Sequence, residues 1–227
     1  MGFRWRGQTR SPKVAFAVDG CLAAFEGAVA ARAQLLFTHH GLFVGQPILL
    51  VGQLFARVRT LIEGRCGLYV AHLPLDDHPK VGNNVELARL LALKDAAPFG
   101  QLGDVHVGVG GTLDPPLAPD ALADRLAQVT GEPIVAIQAC GPPQASRVAC
   151  VSGGAAFLFD RIAAAGFDTY VTGETSHSRF HVAAEHGLNV IYGGHYATET
   201  LGPKALARHL EEAFGLETCF LDLPTGM

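Results

Sequence analysis

Two adjacent histidines, His39 and His40, form the first group of residues in the sequence that could do chemistry. They follow a short aliphatic segment, 34–38, that predicts a β-strand, and Gly41 permits a sharp turn after them. Because successive side chains of a strand face opposite sides, adjacent imidazoles suit two neighbouring metal ions better than one. A structural or surface role for the pair is the alternative, since the tripeptide alone is not specific.

A second group follows another predicted strand, 67–72, in the segment Ala-His-Leu-Pro-Leu-Asp-Asp-His at 71–78. Asp76 and Asp77 are the carboxylates of this segment. A carboxylate at the end of a strand can bridge two cations, because its two oxygens can bind separate ions. The alternative is a polar loop whose aspartate caps a helix.

The third group is Gly-Gly-His-Tyr-Ala-Thr-Glu at 193–199, which follows the predicted strand 189–192 and opens a helix. His195 and Glu199 are four residues apart, so both side chains can point from one face of the first helical turn. The preceding glycines allow the backbone to approach a bound ion or substrate closely. Many such pairs on helices are merely solvated, which is the alternative interpretation.

The three groups share one position in the predicted fold, the carboxyl end of a strand, where ligands collect in parallel α/β sheets. Together they offer three imidazoles and two carboxylates. This set suits Zn, Mn, Fe, Co or Ni, and it suits Mg less well because Mg disfavours imidazole. Cysteine ligands are not expected, because the five cysteines are widely spaced and typical of buried reduced thiols.

Several other residues are weaker candidates. His72, His177 and His181 could orient metal ligands or carry protons, and we take His72 as the catalytic candidate. Gly153 and Gly154 lie between a predicted strand and helix, so their N–H groups could hold an anion, although a helix cap explains them as well. The sequence has no phosphate-binding loop and no dinucleotide-binding glycine motif.

The elements that position these residues alternate between short aliphatic strands and Ala/Leu-rich helices, which indicates an α/β protein with parallel strand pairing. A Pro-rich stretch at 115–119 interrupts the pattern, after which it restarts. We therefore predict two α/β lobes, residues 1–114 and 115–227, with the metal site formed between them. A single continuous sheet is the alternative.

The composition excludes several classes of protein. With 227 residues, 49% of them hydrophobic and 17% charged, the chain has enough apolar side chains for a compact core. The net charge of −4 does not favour nucleic acid or an anionic membrane as a partner. Asp19 and Glu26 interrupt the only apolar stretch near the start, so we expect neither a secretion signal nor a membrane anchor, and we predict a cytoplasmic protein.

Five segments in succession resemble the signature blocks of the Nif-three-like dinuclear metal centre family, also called the GTP cyclohydrolase type-two homologue family. They are THHGLFVG at 38–45, AHLPLDDHPKVGNN at 71–84, CVSGGAAF at 150–157, TYVTGE at 169–174 and GGHYATE at 193–199. The resemblance extends from about Lys13 to Leu223. Members usually carry an additional helix ahead of the first strand, and this sequence starts after the position of that helix.

The resemblance implies the fold of that family, two α/β lobes with mixed sheets flanked by helices, and a homo-hexameric ring. It implies two divalent metal ions per subunit, bound by His39, His40, Asp76, His195 and Glu199. Asp76 matches the family block and Asp77 does not, because the block has Leu-Asp directly after His-x-Pro.

Two functions remain open. The first is a metal-dependent hydrolase that acts on a nucleotide-like or phosphorylated small molecule, with His72 assisting proton transfer. The second is a non-catalytic protein, either a ring-shaped scaffold or a metal storage or delivery protein.

Overall fold

The computed structural model describes residues 2–5, 13–43 and 49–226. Its helices and strands form a mixed α/β protein with two sheets flanked by helices, which confirms the predicted fold class. The last two residues of the first signature block, Val44 and Gly45, lie outside the described residues. The contacts within the chain divide it into two compact units, Met1–Leu75 with Pro203–Leu223, and Asp76–Gly202 with Pro224–Met227.

The first unit is built around a five-stranded sheet with the order β1-β4-β3-β2-β11. Strands β2, β3, β4 and β11 are parallel neighbours, and β1 pairs with β4 in the antiparallel direction. The strands are β1 (Gly2–Trp5), β2 (Lys13–Ala17), β3 (Leu35–Thr38), β4 (Gly67–Val70) and β11 (Glu217–Phe220). The helices that begin or end in this unit are α1 (Leu22–Ala30), α2 (Gly52–Glu63), α3 (Leu73–Asp76) and α9 (Leu201–Phe214).

The core of the first unit explains why its helices form where they do. In α1, Ala24, Phe25 and Ala28 recur at helical spacing and are fully buried. In α2, Val58 and Leu61 lie at helical spacing and are also buried. These side chains pack against the apolar residues of β2, β3 and β4. Full burial of one such Phe or Leu contributes roughly 1.5–3 kcal/mol, so this packing fixes the strand ends that carry the candidate histidines.

The second unit is built around a six-stranded sheet with the order β5-β6-β8-β9-β10-β7. Strands β8, β9 and β10 are parallel, and the other neighbours pair in the antiparallel direction. The strands are β5 (Lys94–Leu102), β6 (Val105–Leu117), β7 (Ala136–Ala139), β8 (Ala145–Cys150), β9 (Thr169–Thr172) and β10 (Asn189–Tyr192). The helices are α4 (Asn83–Leu90), α5 (Pro119–Thr130), α6 (Phe159–Ala164), α7 (Phe180–Glu185) and α8 (His195–Glu199), with 3₁₀ turns at Ala156–Leu158 and His177–Arg179.

The two sheets do not divide at residues 114 and 115, where the sequence predicts the join between lobes. Strand β6 continues through Pro115 and Pro116 to Leu117, and β5 and β6 belong to the second sheet. The prolines are tolerated because the pairing of β6 with β8 skips from Thr112 to Leu117, so that no regular ladder position needs their missing N–H groups. At the other end of the chain, β11 pairs with β2 and therefore belongs to the first sheet.

No helix among the described residues is both long enough and apolar enough to cross a membrane.

Candidate metal centre

Three imidazoles lie together in the first unit, at the carboxyl ends of neighbouring strands. His39 and His40 follow β3, and His72 follows β4. The ring centroids of His39 and His72 are 4.8 Å apart, and those of His40 and His72 are 5.2 Å apart. A ring nitrogen from each of the three lies within 4.8 Å of the other two. Three imidazole donors at this separation could share a transition-metal ion.

The two adjacent histidines do not alternate as strand residues, contrary to the prediction. Strand β3 ends at Thr38, and His39 and His40 lie in a bend, where side chains no longer alternate. Their ring centroids are therefore only 4.9 Å apart. The expectation of two metal ions does not follow from this geometry and rests on the donor set and the resemblance.

Hydrogen bonds fix which nitrogen of each adjacent histidine can bind a metal. Nδ1 of His39 lies 3.0 Å from the Ala71 carbonyl oxygen, which can only accept, so Nδ1 carries the proton. Nδ1 of His40 lies 2.7 Å from Oδ1 of Asp19, a residue of the loop after β2. When Nδ1 donates, Nε2 of the neutral ring holds the lone pair. Both residues therefore offer Nε2 to a cation.

His195 and Glu199 face each other in the second unit, as their spacing predicts. They are the first and last residues of the short helix α8, and Nε2 of His195 lies 2.9 Å from Oε2 of Glu199. Nδ1 of His195 lies 2.5 Å from Oε1 of Glu174, which follows β9. The imidazole is thus held between two carboxylates. A cation could take the place of the proton between His195 and Glu199.

Glycines make room for this arrangement. A Cβ atom on Gly153 would collide with the Glu199 carboxylate and lie 3.1 Å from Nε2 of His195. A Cβ atom on Gly173 would lie 2.7 Å from the His195 Cα atom. Gly153 also donates its N–H to Oγ1 of Thr198 at 3.0 Å. Gly153 therefore makes room for side chains of the candidate site, and its N–H group is engaged by Thr198 rather than by an anion.

Asp76 is oriented by two side-chain donors in the second unit. Its Oδ1 accepts from Nδ2 of Asn83 at 2.9 Å and from Oγ of Ser152 at 3.2 Å. The adjacent Asp77 instead pairs with Nδ1 of His106 at 3.4 Å. The two aspartates that the sequence leaves undistinguished thus differ in their surroundings. Asp76 belongs to a network that reaches the Ser152–Gly153 loop, which favours it as the ligand.

Asn84 anchors this network, and we expect its removal to reduce stability. It is 1% exposed, donates to the carbonyls of Asp76 and Val107, and accepts from the Ser152 N–H at 2.8 Å. Asn84→Ala leaves these buried groups without partners, which costs about 2 kcal/mol of the free energy of unfolding. Urea denaturation measures the effect. Gln144→Ala removes an exposed amide and serves as the control, and an equal loss in both variants would contradict the prediction.

The pKa of His195 is raised to about 9. The largest cause is the hydrogen bond to Glu199, the negative charges of Glu199 and Glu174 and the hydrogen bond to Glu174 add to it, and burial opposes it. At neutral pH the metal-free protein therefore keeps His195 protonated. A metal ion must displace that proton to bind Nε2.

This raised pKa predicts how the stability of the metal-free protein changes with pH. A protonated histidine that is favoured in the folded state stabilises fully below its unfolded pKa of 6.5, and this stabilisation is lost as pH rises through about 9. In excess chelator, we expect the stability advantage of the wild type over His195→Gln to shrink between pH 6.5 and 9. Urea denaturation across this window measures it, and parallel pH profiles would contradict it.

The structure thus divides the predicted site residues between the two units. His39, His40 and His72 lie together in the first, and in the second His195 contacts Glu199 while Asp76 is held by Asn83 and Ser152. The described residues include a histidine and glutamate group that could hold a metal ion. The donors fit the expected ions, since they are imidazoles and carboxylates with fixed orientations. Sequence reasoning missed Asp19 and Glu174, although both follow strands as the predicted ligands do.

Comparisons with known proteins cover nearly the whole chain. The model of the family described as Duf34/NIF3 (NGG1p interacting factor 3) matches residues 2–225. The chain is 43% identical over 226 residues to the GTP cyclohydrolase 1 type 2 homolog of Deinococcus radiodurans, covering 100% of this chain and 86% of that protein. The protein of the same name in Pyrococcus abyssi is 39% identical over 226 residues, covering 100% of this chain and 90% of that protein.

A solved structure is similar to this chain over the same length as the sequence relatives. A crystal structure of a Thermus thermophilus protein superposes with a TM-score of 0.86 at 43% identity, covering 99% of this chain and 89% of that one. The match extends over the strands and loops that carry the candidate ligands. The chain belongs to the Duf34/NIF3 family.

Proposed function

We propose that this protein binds two divalent transition-metal ions through His39, His40, Asp76, His195 and Glu199. We further propose that it is a metal-dependent hydrolase of a nucleotide-like or phosphorylated small molecule. The curated relatives carry the name GTP cyclohydrolase 1 type 2 homolog, and this name supports the proposal of a hydrolase reaction. The ions, their number and the reaction are all part of the proposal.

One observation carries the proposal: the Nδ1 atom of each of the three histidines has an oxygen acceptor. The acceptors are the Ala71 carbonyl for His39, Asp19 for His40 and Glu174 for His195. Such contacts set the ring orientation and the tautomer, and they raise the basicity of Nε2. An exposed histidine can make the same kind of contact, as His106 does with Asp77, but it does not depend on this arrangement. Metal ligands need it, because the ring must present one lone pair in a fixed direction.

The remaining residues have roles that follow from their surroundings. Glu199 is 3% exposed, so an ion beside it would meet a carboxylate shielded from water. Asp76 is held through Oδ1, and rotation of its carboxylate is therefore restricted. His72 lies beside the two histidines and could accept or return a proton during hydrolysis. When bound, the ions would supply Lewis acidity and lower the pKa of water.

The test separates metal binding from catalysis. Purified protein is analysed for metal content and screened on phosphoesters, nucleotides and cyclic amides, with and without chelator. We expect turnover that chelator removes and that His40→Ala and Asp76→Ala abolish. His181→Ala and Asp77→Ala are matched controls that should retain it, since His181 is exposed and Asp77 pairs with His106.

Two outcomes would contradict the proposal in different ways. Full metal occupancy without turnover on the whole panel would favour a metal-carrying scaffold or storage protein, which agrees with the family description as an interacting factor. Protein without bound transition metal would remove the metal site itself. The hexameric ring implied by the resemblance is a separate proposal, which light scattering on the same preparation tests.

A further inference from the structure

A cavity of about 340 Å³ opens beside Glu174, the carboxylate that holds His195. Its size falls within the range of small-molecule sites, roughly 300–1,000 Å³. All of its walls belong to the second unit, and they include Gly154, Phe157, Glu174, Thr175, Ser176 and Arg179. The cavity therefore adjoins a candidate metal ligand through a single intervening residue.

Phe157 gives this cavity an aromatic wall that the core does not need. Its side chain is 59% exposed, whereas Leu158 and Phe159 next to it are fully buried in the second unit. Burying an aromatic ring of this size stabilises a protein, so leaving it in water has a cost. An exposed phenyl ring at the wall of a cavity is suited to stack against a planar ligand.

The charged side chains of the cavity do not suit a phosphate group. The Arg179 guanidinium already has hydrogen-bond partners, because Nη2 donates to Oδ2 of Asp160 at 2.8 Å and Nε donates to the Ala156 carbonyl at 3.3 Å. The pKa of Asp160 is lowered because His186 and Arg179 both donate to it, so its charge balances that of Arg179. Glu174 adds a negative charge, which repels an anion.

The hydrogen-bonding groups instead suit a ligand that donates. Oε1 of Glu174 accepts from His195, and its Oε2 lies next to Gly154, where a Cβ atom would approach it to 2.7 Å. The absence of a side chain at Gly154 keeps this oxygen accessible from the cavity. The hydroxyl groups of Thr175 and Ser176 can also accept. An N–H group at the edge of a ring would find partners here.

We propose that this cavity binds the planar, uncharged ring of the substrate, with the ring stacked on Phe157 and a ring N–H directed at Glu174. The proposal rests on the proposed hydrolase function and narrows its substrate class to compounds with an N–H-bearing heterocycle. A phosphate group of such a substrate would lie outside this cavity.

Calorimetric titration with three probes tests the proposal, using the full chain with and without added Zn²⁺. Inosine offers a planar ring with one N–H, 1-methylinosine lacks that N–H, and ribose 5-phosphate lacks the ring. We expect inosine to bind, 1-methylinosine to bind several-fold more weakly, and ribose 5-phosphate not to bind at the cavity. Phe157→Ala should weaken the binding of inosine about tenfold, whereas Phe157→Tyr, which keeps an aromatic ring, should retain most of the wild-type affinity.

The control is Phe214→Ala, which removes a phenyl ring that is also mostly exposed, at 68%, but does not line the cavity. Thermal melts show that each variant is folded. Equal affinity for inosine in the wild type and Phe157→Ala, or no binding of inosine, would overturn the proposal. Because binding is also measured without metal, a protein that binds inosine but carries no metal and no activity would contradict the hydrolase function and leave the ring site intact.

Discussion

Gly153→Ala is expected to abolish high-affinity metal binding and to lower the free energy of unfolding by about 3 kcal/mol. The added methyl group would occupy the space of the buried Glu199 carboxylate and crowd Nε2 of His195. The backbone adds a second cost, because Gly153 has a φ of +67°, where an alanine is disfavoured by about 1–2 kcal/mol.

The main chain at Gly153 has no room to retreat from this clash. Its carbonyl oxygen accepts from the N–H groups of Gly173 at 2.9 Å and Glu174 at 3.1 Å, and from Oγ1 of Thr172 at 3.2 Å. The Glu199 side chain must move instead, and it loses its position beside His195. We therefore expect the affinity for Zn²⁺ to fall by about 100-fold or more, as for the loss of a ligand.

Competition with a coloured chelator measures the affinity, and urea denaturation measures the stability. Gly131→Ala is the matched control, because Gly131 also has a positive φ, +78°, and an added Cβ would meet nothing within 4 Å. It should lose about 1 kcal/mol of stability and bind Zn²⁺ normally. Wild-type affinity in Gly153→Ala would show that Glu199 is not a ligand or that its position is not important.

The sequence predicts the parts of this site that depend on local order. Each candidate ligand group follows an aliphatic strand in the sequence. In the structure, His39, His72 and His195 lie one to three residues after the ends of β3, β4 and β10, respectively. The i, i+4 spacing of His195 and Glu199 also holds, because α8 begins at the histidine and a helix places such residues on one face.

The sequence does not predict the residues whose partners are distant in the chain. Asp19 contacts His40 across 21 residues, and Glu174 contacts His195 across 21 residues. A carboxylate in a loop gives no local signal of the imidazole it will meet, because strand order decides that meeting. The same reason explains β11, which is last in the chain but pairs with β2 in the first sheet.

Strand β5 shows a different limit. The segment Lys94–Leu102 contains Asp95, Pro98 and Gly100 and has no regular alternation of apolar residues. It forms a strand because the long β6 beside it supplies hydrogen-bonding partners, with a register shift between Lys94 and Ala97. Pairing with a neighbour overrides local preference here, as context often does in sheets.

Asp19 and Glu174 lead to the second large expected effect, on metal affinity. Asp19→Ala and Glu174→Ala remove the acceptors for Nδ1 of His40 and His195, so the rings lose their fixed orientation and tautomer. We expect each variant to bind Zn²⁺ about 10- to 100-fold more weakly than the wild type. Asp19→Asn and Glu174→Gln keep an oxygen acceptor but lose the charge, so their loss should be smaller, about tenfold.

The comparison between amide and alanine variants distinguishes orientation from simple electrostatic attraction. If the carboxylates act only through their charge, the amide and the alanine variants lose the same affinity, because both are neutral. If they act by holding the rings, the amides retain much of it. Asp124→Asn and Glu185→Gln change exposed carboxylates and should bind Zn²⁺ like the wild type. Dissociation rates of the metal provide an independent check. An imidazole that rotates freely releases its ion faster than one held in place, even though the fold of the protein is unchanged.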